Sequence, residues 1–207
     1  DERTDRDHIE RRDGGVGAPF PPFDAAFVLP RTLLHFTQVA EALSALHDNA
    51  GIIVKDIKPK NILIDDFGNA FIADFGVSYA VEKIETVIGI SVRAGAASTS
   101  NGTPVYWSPE QGGASDLTNP SNPARVTSKS DVWNLGASLL EMLMDLEPWS
   151  DVSKFARGQR LYFRHHPAIA LPTAIDTEFS PDLRPRLEAL LTKCFMPNPK
   201  DRCDACE

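Results

Sequence analysis

Cysteine is scarce, with three in 207 residues. That is too few for a disulfide framework in a chain of this length, and it favours a reducing compartment, so a cytoplasmic location is expected. Positive charge is in deficit as well: 21 Lys and Arg stand against 29 Asp and Glu, a net charge of -8. A surface that holds nucleic acid is normally basic, so no nucleic-acid partner is expected. No apolar run approaches the ~20 residues that cross a bilayer, and no membrane span is expected in this segment. The chain opens at Asp1 without an initiator Met or a signal-like stretch, and it reads as a piece of something longer. What is present suits a globular domain, with 42% hydrophobic and 24% charged residues.

Residues 1–29 carry no periodic pattern. Charges crowd residues 1–13, and Gly14, Gly15, Gly17, Pro19, Pro21 and Pro22 interrupt any repeat. The glycines fit neither phosphate-loop spacing and no strand precedes them, so a flexible connector is expected. From Pro30, which suits a first helical turn, Phe36, Val39, Ala40, Leu43 and Leu46 recur at helical spacing as far as Asp48. Asn49, Ala50 and Gly51 end that helix, and Ile52, Ile53 and Val54 read as a short buried strand. Two strand-like runs, 62–64 and 70–73, flank Asp65-Asp66-Phe67-Gly68-Asn69, which is turn chemistry. Residues 77–101 are mostly small and polar, and a mobile loop is expected there. Over 128–146, Val132, Trp133, Leu135, Leu139, Leu140, Met142, Leu143 and Met144 make a helix apolar nearly all round, which belongs at the centre of a domain. A last helix is expected over 181–195, with Leu183, Leu187, Leu190, Leu191 and Cys194 on one stripe.

The chemistry lies between Lys55 and Glu110. Asp56, Lys58 and Asn61 place an acid, a base and an amide on one tight loop pinned by Pro59. A loop that follows a buried strand with this set is suited to presenting side chains to a ligand. Asp74-Phe75-Gly76 follows after a complete hairpin, which brings Asp74 back near Asn61. Their two hard oxygen donors suit Mg²⁺, with phosphates supplying further ligands. With Asp56 to accept a proton and Lys58 to neutralise a phosphate, the inventory points to phosphoryl transfer. The same tripeptide occurs earlier as Asp66-Phe67-Gly68, too close to Asn61 for a return strand, and is assigned to the hairpin turn. Cys203 and Cys206, with Cys194 nearby, raise a small metal or redox module. A structural zinc site wants four ligands, and only His165-His166, recruited by folding, would complete one.

Taken in order, these residues resemble the C-terminal lobe of a protein kinase. The run from Val54 to Asn61 is similar to the catalytic loop. The resemblance implies Asp56 as catalytic base, Lys58 at the transferring phosphate, and Asn61 and Asp74 as ligands of Mg²⁺, with ATP as the phosphoryl donor. Ser108-Pro109-Glu110 resembles the Ala-Pro-Glu that closes the activation segment. The stretch from Gly102 to Trp107 looks like the substrate-facing segment of a serine/threonine kinase, with Thr103 placed to bond Asp56 and Lys58. Asp131-Val132-Trp133, followed by Leu135-Gly136, resembles the start of the central buried helix, where Asp131 holds catalytic-loop amides. Arg202 matches the arginine that pairs with Glu110. The expected layout is a connector or hinge remnant over 1–29 and a kinase C-terminal lobe over 30–207, incomplete at its C-terminal end. The fold class is α+β, mainly helical with short β-hairpins around the catalytic loop.

The departures from that pattern are specific. Val54-Lys55 stands where the family usually has His-Arg, so the imidazole hydrogen bonds are expected to be lost. Lys55 keeps a charge for a phosphate, on a loop serine or threonine such as Ser78, Thr86, Ser91, Ser98, Thr99 or Ser100, without the fork of an Arg. No glycine-rich loop, ATP-anchoring Lys or partner Glu is present, so an N-terminal lobe is expected to be supplied in cis and this segment alone to be inactive. The implied activity is transfer of the ATP γ-phosphate to a Ser or Thr hydroxyl of a protein substrate. The alternative is a pseudokinase or scaffold lobe that only binds, favoured by Val54 and opposed by the presence of Asp56, Lys58, Asn61 and Asp74.

Overall fold

In the computed structural model, residues 25–80, 103–112, 126–144, 171 and 181–205 are described. The first element is helix α1 (Ala25–Ala45), which begins before Pro30 and not at it. The reason is energetic: Pro30 comes just after the first turn, where its missing N–H forfeits one intrahelical bond, and the residues preceding it are ordinary helix formers. Leu29, Thr32, Val39 and Leu43 are buried along α1; of the stripe the spacing predicts, Val39 and Leu43 are buried, whereas Phe36, Ala40 and Leu46 are half-buried. A single π-type turn (Leu46–Ala50) continues the helix and ends at Gly51, whose φ of 61° lets its N–H bond the Leu46 carbonyl.

Four short strands follow: β1 (Ile52–Ile53), β2 (Ile62–Ile64), β3 (Ala70–Ile72) and β4 (Tyr79–Ala80). β2 and β3 form the expected antiparallel hairpin, pairing Ile62 with Ile72, Leu63 with Phe71 and Ile64 with Ala70. β1 pairs antiparallel with β4, Ile52 opposite Ala80 and Ile53 opposite Tyr79. The start of the expected 77–101 loop is therefore a strand, because the edge of β1 captures it. The remainder of that loop, most of the 1–29 connector, and Cys206, His165 and His166 lie outside the described residues.

Helix α2 (Ser128–Met144) occupies the centre, and every residue from Ser130 to Leu140 is buried, on all faces of the helix. It serves two apolar clusters at once: Trp133, Leu139 and Leu140 pack with Leu29, Leu187 and Leu191, whereas Leu135 packs with Val39, Leu43, Val54 and Ile57. That double duty is why its sequence is apolar nearly all round. Helix α3 (Leu183–Cys194) lies close against it at Gly136, where an added Cβ would stand 2.7 Å from the Cβ of Cys194. Trp133 and Phe195 close the same junction edge to face, with ring centroids 5.1 Å apart. No helix among the described residues is long and apolar enough to cross a membrane.

Candidate active site

The loop after β1 is held from beneath by α2. The N–H groups of Val54 and Lys55 donate to Asp131 Oδ2 and Oδ1 at 2.8 and 2.7 Å. Asp131 is fully buried, and His47 Nε2 lies 2.9 Å from its Oδ2. An imidazole thus meets the loop's anchor Asp131 from the π-type turn, while the Val54 side chain itself packs with Val39, Leu43, Ile57 and Leu135. The signal was spacing: His47 lies four residues beyond buried Leu43, on the inward stripe. Lys55 takes a left-handed φ of 72°. Its ammonium, expected to meet a phosphate, lies over the Tyr79 ring, 5.6 Å from the centroid. Burial pushes its pKa below the ordinary lysine value, with the Asp131 charge opposing.

Directly after Lys55, Asp56 turns its carboxylate into a network of side chains. Lys58 Nζ donates to Asp56 Oδ2 and to Thr103 Oγ1, each at 2.7 Å, and the Thr103 N–H donates to Asp56 Oδ1 at 2.8 Å. Asn61 Nδ2 donates to the Asp56 carbonyl at 2.9 Å and to Oδ2 at 3.3 Å. With the amide nitrogen so engaged, Asn61 Oδ1 is the atom left to meet a cation. The Ala73 N–H bonds the Asn61 carbonyl at 2.8 Å, which sets Asp74 beside Asn61 through the backbone. Asp74 is exposed, has a φ of 60°, and accepts from the Gly76 N–H at 3.2 Å. Asn61 Oδ1 and the Asp74 carboxylate are hard oxygen donors on neighbouring backbone, a set that fits Mg²⁺ completed by phosphate oxygens. The structure therefore brings Asp56, Lys58, Asn61 and Thr103 into one network and leaves Asp74 at its solvent edge.

Asp66-Phe67-Gly68 forms the β2–β3 turn, with Gly68 at φ 85°. Phe67 is 91% exposed. The turn is closed by Asp65, which accepts from the N–H groups of Phe67 and Asn69.

A second ion pair lies against the start of α2. Arg202 donates to Glu110 Oε1 at 2.7 Å and Oε2 at 3.2 Å, both side chains being buried. Ser130 Oγ also donates to Glu110 Oε1, and Arg202 bonds the Met196 and Lys129 carbonyls. The Tyr106 hydroxyl meets Glu141. Gln111 and Asn134, which no motif marked, are buried among these groups. Cys194 and Cys203 pack with Val132, and the bond from Cys203 together with burial pushes the Cys194 thiol well up. A thiol so held is protonated, the opposite of a metal-binding or reactive cysteine. Among the described residues no group of three or more His, Cys, Asp and Glu is placed to hold a metal.

Comparison with known proteins accords with this geometry. The family model described as protein kinase domain matches residues 30–207. The chain is 31% identical over 187 residues to mitogen-activated protein kinase kinase kinase 3 of Arabidopsis thaliana, covering 88% of this chain and 24% of that protein. It is 30% identical over 206 residues to mitogen-activated protein kinase kinase 2 of the same plant, covering 96% of this chain and 49% of the relative. It is 31% identical over 174 residues to the dual specificity mitogen-activated protein kinase kinase hemipterous of Drosophila melanogaster, covering 83% of this chain and 13% of the relative. The chain thus spans less than half the length of each of these relatives. With a catalytic-loop network, a buried Glu–Arg anchor and a family match over the same residues, the chain belongs to the protein kinase domain family.

Proposed function

We propose that this chain is the catalytic lobe of a protein serine/threonine kinase, transferring the γ-phosphate of ATP to a Ser or Thr hydroxyl of a protein substrate. The observation that carries the reading is the closed set of bonds among Asp56, Lys58 and Thr103. Asp56 is oriented at both oxygens, so it accepts the proton of the attacking hydroxyl from a fixed position. The acceptor oxygen forms its bond to the γ-phosphorus as the bond to the bridging oxygen breaks and ADP departs. Lys58 lies against Asp56 with its charge directed at the same locus, where it balances negative charge on the transferring group. Asn61 Oδ1 and the Asp74 carboxylate would hold Mg²⁺, which would supply charge neutralisation to the phosphates. Thr103 walls the approach and favours a short aliphatic hydroxyl over a tyrosine ring. The name of the Drosophila relative speaks of dual specificity, so the acceptor is the part of the reading most in need of measurement.

Leu63 and Phe71, paired across the hairpin, are 57% and 53% exposed, and Phe75 is 44% exposed. We assign this apolar edge to an N-terminal kinase lobe in cis, which would cover it together with ATP; the segment alone would then turn over no ATP. The two buried free cysteines suit a reducing, cytoplasmic setting. The scaffold reading rests on Val54, and the imidazole of His47 weakens it. The test is transfer from γ-labelled ATP by the full-length protein to peptide libraries carrying either Ser/Thr or Tyr. Selective labelling of Ser/Thr is expected. Equal labelling of the tyrosine library would sink the acceptor assignment, and ATP binding without any transfer would favour the scaffold.

A further inference from the structure

We propose that Gln111 is a positioning residue for Asp56, acting through the backbone of Lys55 and held in place by Asn134. The inference rests on the kinase reading of Asp56. Lys55 is the residue before Asp56, and its left-handed backbone is uncommon for a residue with a side chain. Both polar groups of that backbone are gripped by buried side chains. Asp131 Oδ1 takes its N–H at 2.7 Å, and Gln111 Nε2 donates to its carbonyl at 2.8 Å. The carbonyl belongs to the peptide that joins Lys55 to Asp56, so fixing it fixes the direction in which the Asp56 side chain departs.

Gln111 is itself immobilised. Its Oε1 accepts from the Ser108 N–H at 3.0 Å, from Ser108 Oγ at 3.2 Å and from Asn134 Nδ2 at 2.8 Å. Asn134 Nδ2 also donates to the Tyr106 carbonyl at 2.5 Å. Among the described residues its Oδ1 is buried with no partner. A buried oxygen left unpaired is costly, and flipping the amide would be worse, since Oδ1 would then face two acceptors. Asn134 is thus retained for its donor. Through it the substrate-facing segment (Tyr106 and Ser108), α2 and the catalytic loop share one amide, Gln111.

The test compares Gln111→Met and Gln111→Glu with wild type in the full-length protein. Met removes the donor and the acceptor at similar length; ionised Glu keeps an acceptor for Ser108 and Asn134 but cannot donate to the Lys55 carbonyl. Both should lower kcat by ~10-fold, since small misplacements at a reacting centre are expensive, while KM for ATP and peptide stays within about two-fold. Wild-type kcat in either folded variant, or kcat and KM changing in parallel, would overturn the assignment. Should Gln111→Met not fold, Asn134→Ala carries the same expectation with a smaller loss. Absence of transfer in the wild-type protein would refute the kinase reading and not this one. The clamp is then read from amide exchange: Gln111→Met should quicken exchange over 54–57 and leave α2 unchanged, and unaltered exchange over 54–57 would overturn it.

Discussion

Two groups of ionised side chains, a frame on or beside α2 and a reacting edge at the loop after β1, are built differently. In the frame, Asp131, Glu110 and Arg202 are 0%, 1% and 2% exposed. Asp131 meets two N–H groups and an imidazole, and Glu110 meets a hydroxyl and a guanidinium. At the reacting edge, the Asp56 side chain is 9% exposed, that of Lys58 is 18% exposed, and Asp74 is open to solvent. A buried carboxylate whose bonds are complete is suited to holding. A carboxylate fixed at both oxygens yet reachable from solvent is suited to meeting a substrate from a set direction. Substitutions in the frame should therefore cost stability, and substitutions at the edge should cost rate.

The sharpest test of that division is Asp56→Asn in the full-length protein. Losing a general base costs ~10²–10⁴-fold in transfer rate. Asn retains an oxygen for the Thr103 N–H, so nucleotide binding and the thermal midpoint should hold. Turnover within a factor of two of wild type would remove Asp56 from its role.

Arg202→Met should do the reverse. It leaves Glu110 buried with its guanidinium partner gone, and breaking such a pair typically costs ~3–5 kcal/mol. Chemical denaturation should show that loss in the midpoint. Unchanged stability with a fall in rate would erase the distinction between frame and edge.

The two regions were also unequally legible in the sequence. At the edge, Asp56, Lys58, Asn61 and Asp74 lie within one loop and one hairpin, so spacing alone brings them near one another. Helix α2 was legible because apolar residues on every side leave a helix no place but the centre. The frame depends on partners far apart in the chain, and only the kinase resemblance joined Glu110 to Arg202. Gln111 and Asn134 follow no periodic pattern, and the spacing that puts His47 on the inward stripe does not name Asp131 as its partner, since a buried polar residue is defined by what it bonds and not by its neighbours in sequence. The β1–β4 pair was missed for a similar reason: two residues on each strand carry too little alternation to be read.

Thr103 offers a finer division within the edge. Its hydroxyl holds Lys58, whereas its backbone N–H holds Asp56. Thr103→Ala deletes the first bond and spares the second, so kcat should fall by ~10-fold, less than for Asp56→Asn, with KM for the peptide little changed. A rise in KM at constant kcat would make Thr103 a docking residue.

The smallest effect concerns the repeated tripeptide, where adjacent carboxylates of the β2–β3 turn should behave unlike each other. Asp65 Oδ1 accepts from the N–H groups of Phe67 and Asn69 at 2.9 and 2.8 Å, and Oδ2 accepts from Asn69 Nδ2 at 2.9 Å. The Asn69 side chain first, then the backbone bonds, holds the Asp65 carboxyl below the usual carboxylate range. Asp66 is exposed in the same turn. Because the folded Asp65 carboxyl releases its proton more readily than the unfolded one, its contribution is present above the unfolded value and is lost as pH falls through the folded one. Asp65→Ala should thus lower the thermal midpoint slightly at neutral pH, and its difference from wild type should shrink as the solution is acidified. Asp66→Ala should leave the midpoint in place across the same range. Equal losses for the two substitutions, or an Asp65→Ala deficit that persists unchanged into acid, would show that the turn is held by its backbone and Gly68 and not by the Asp65 carboxylate.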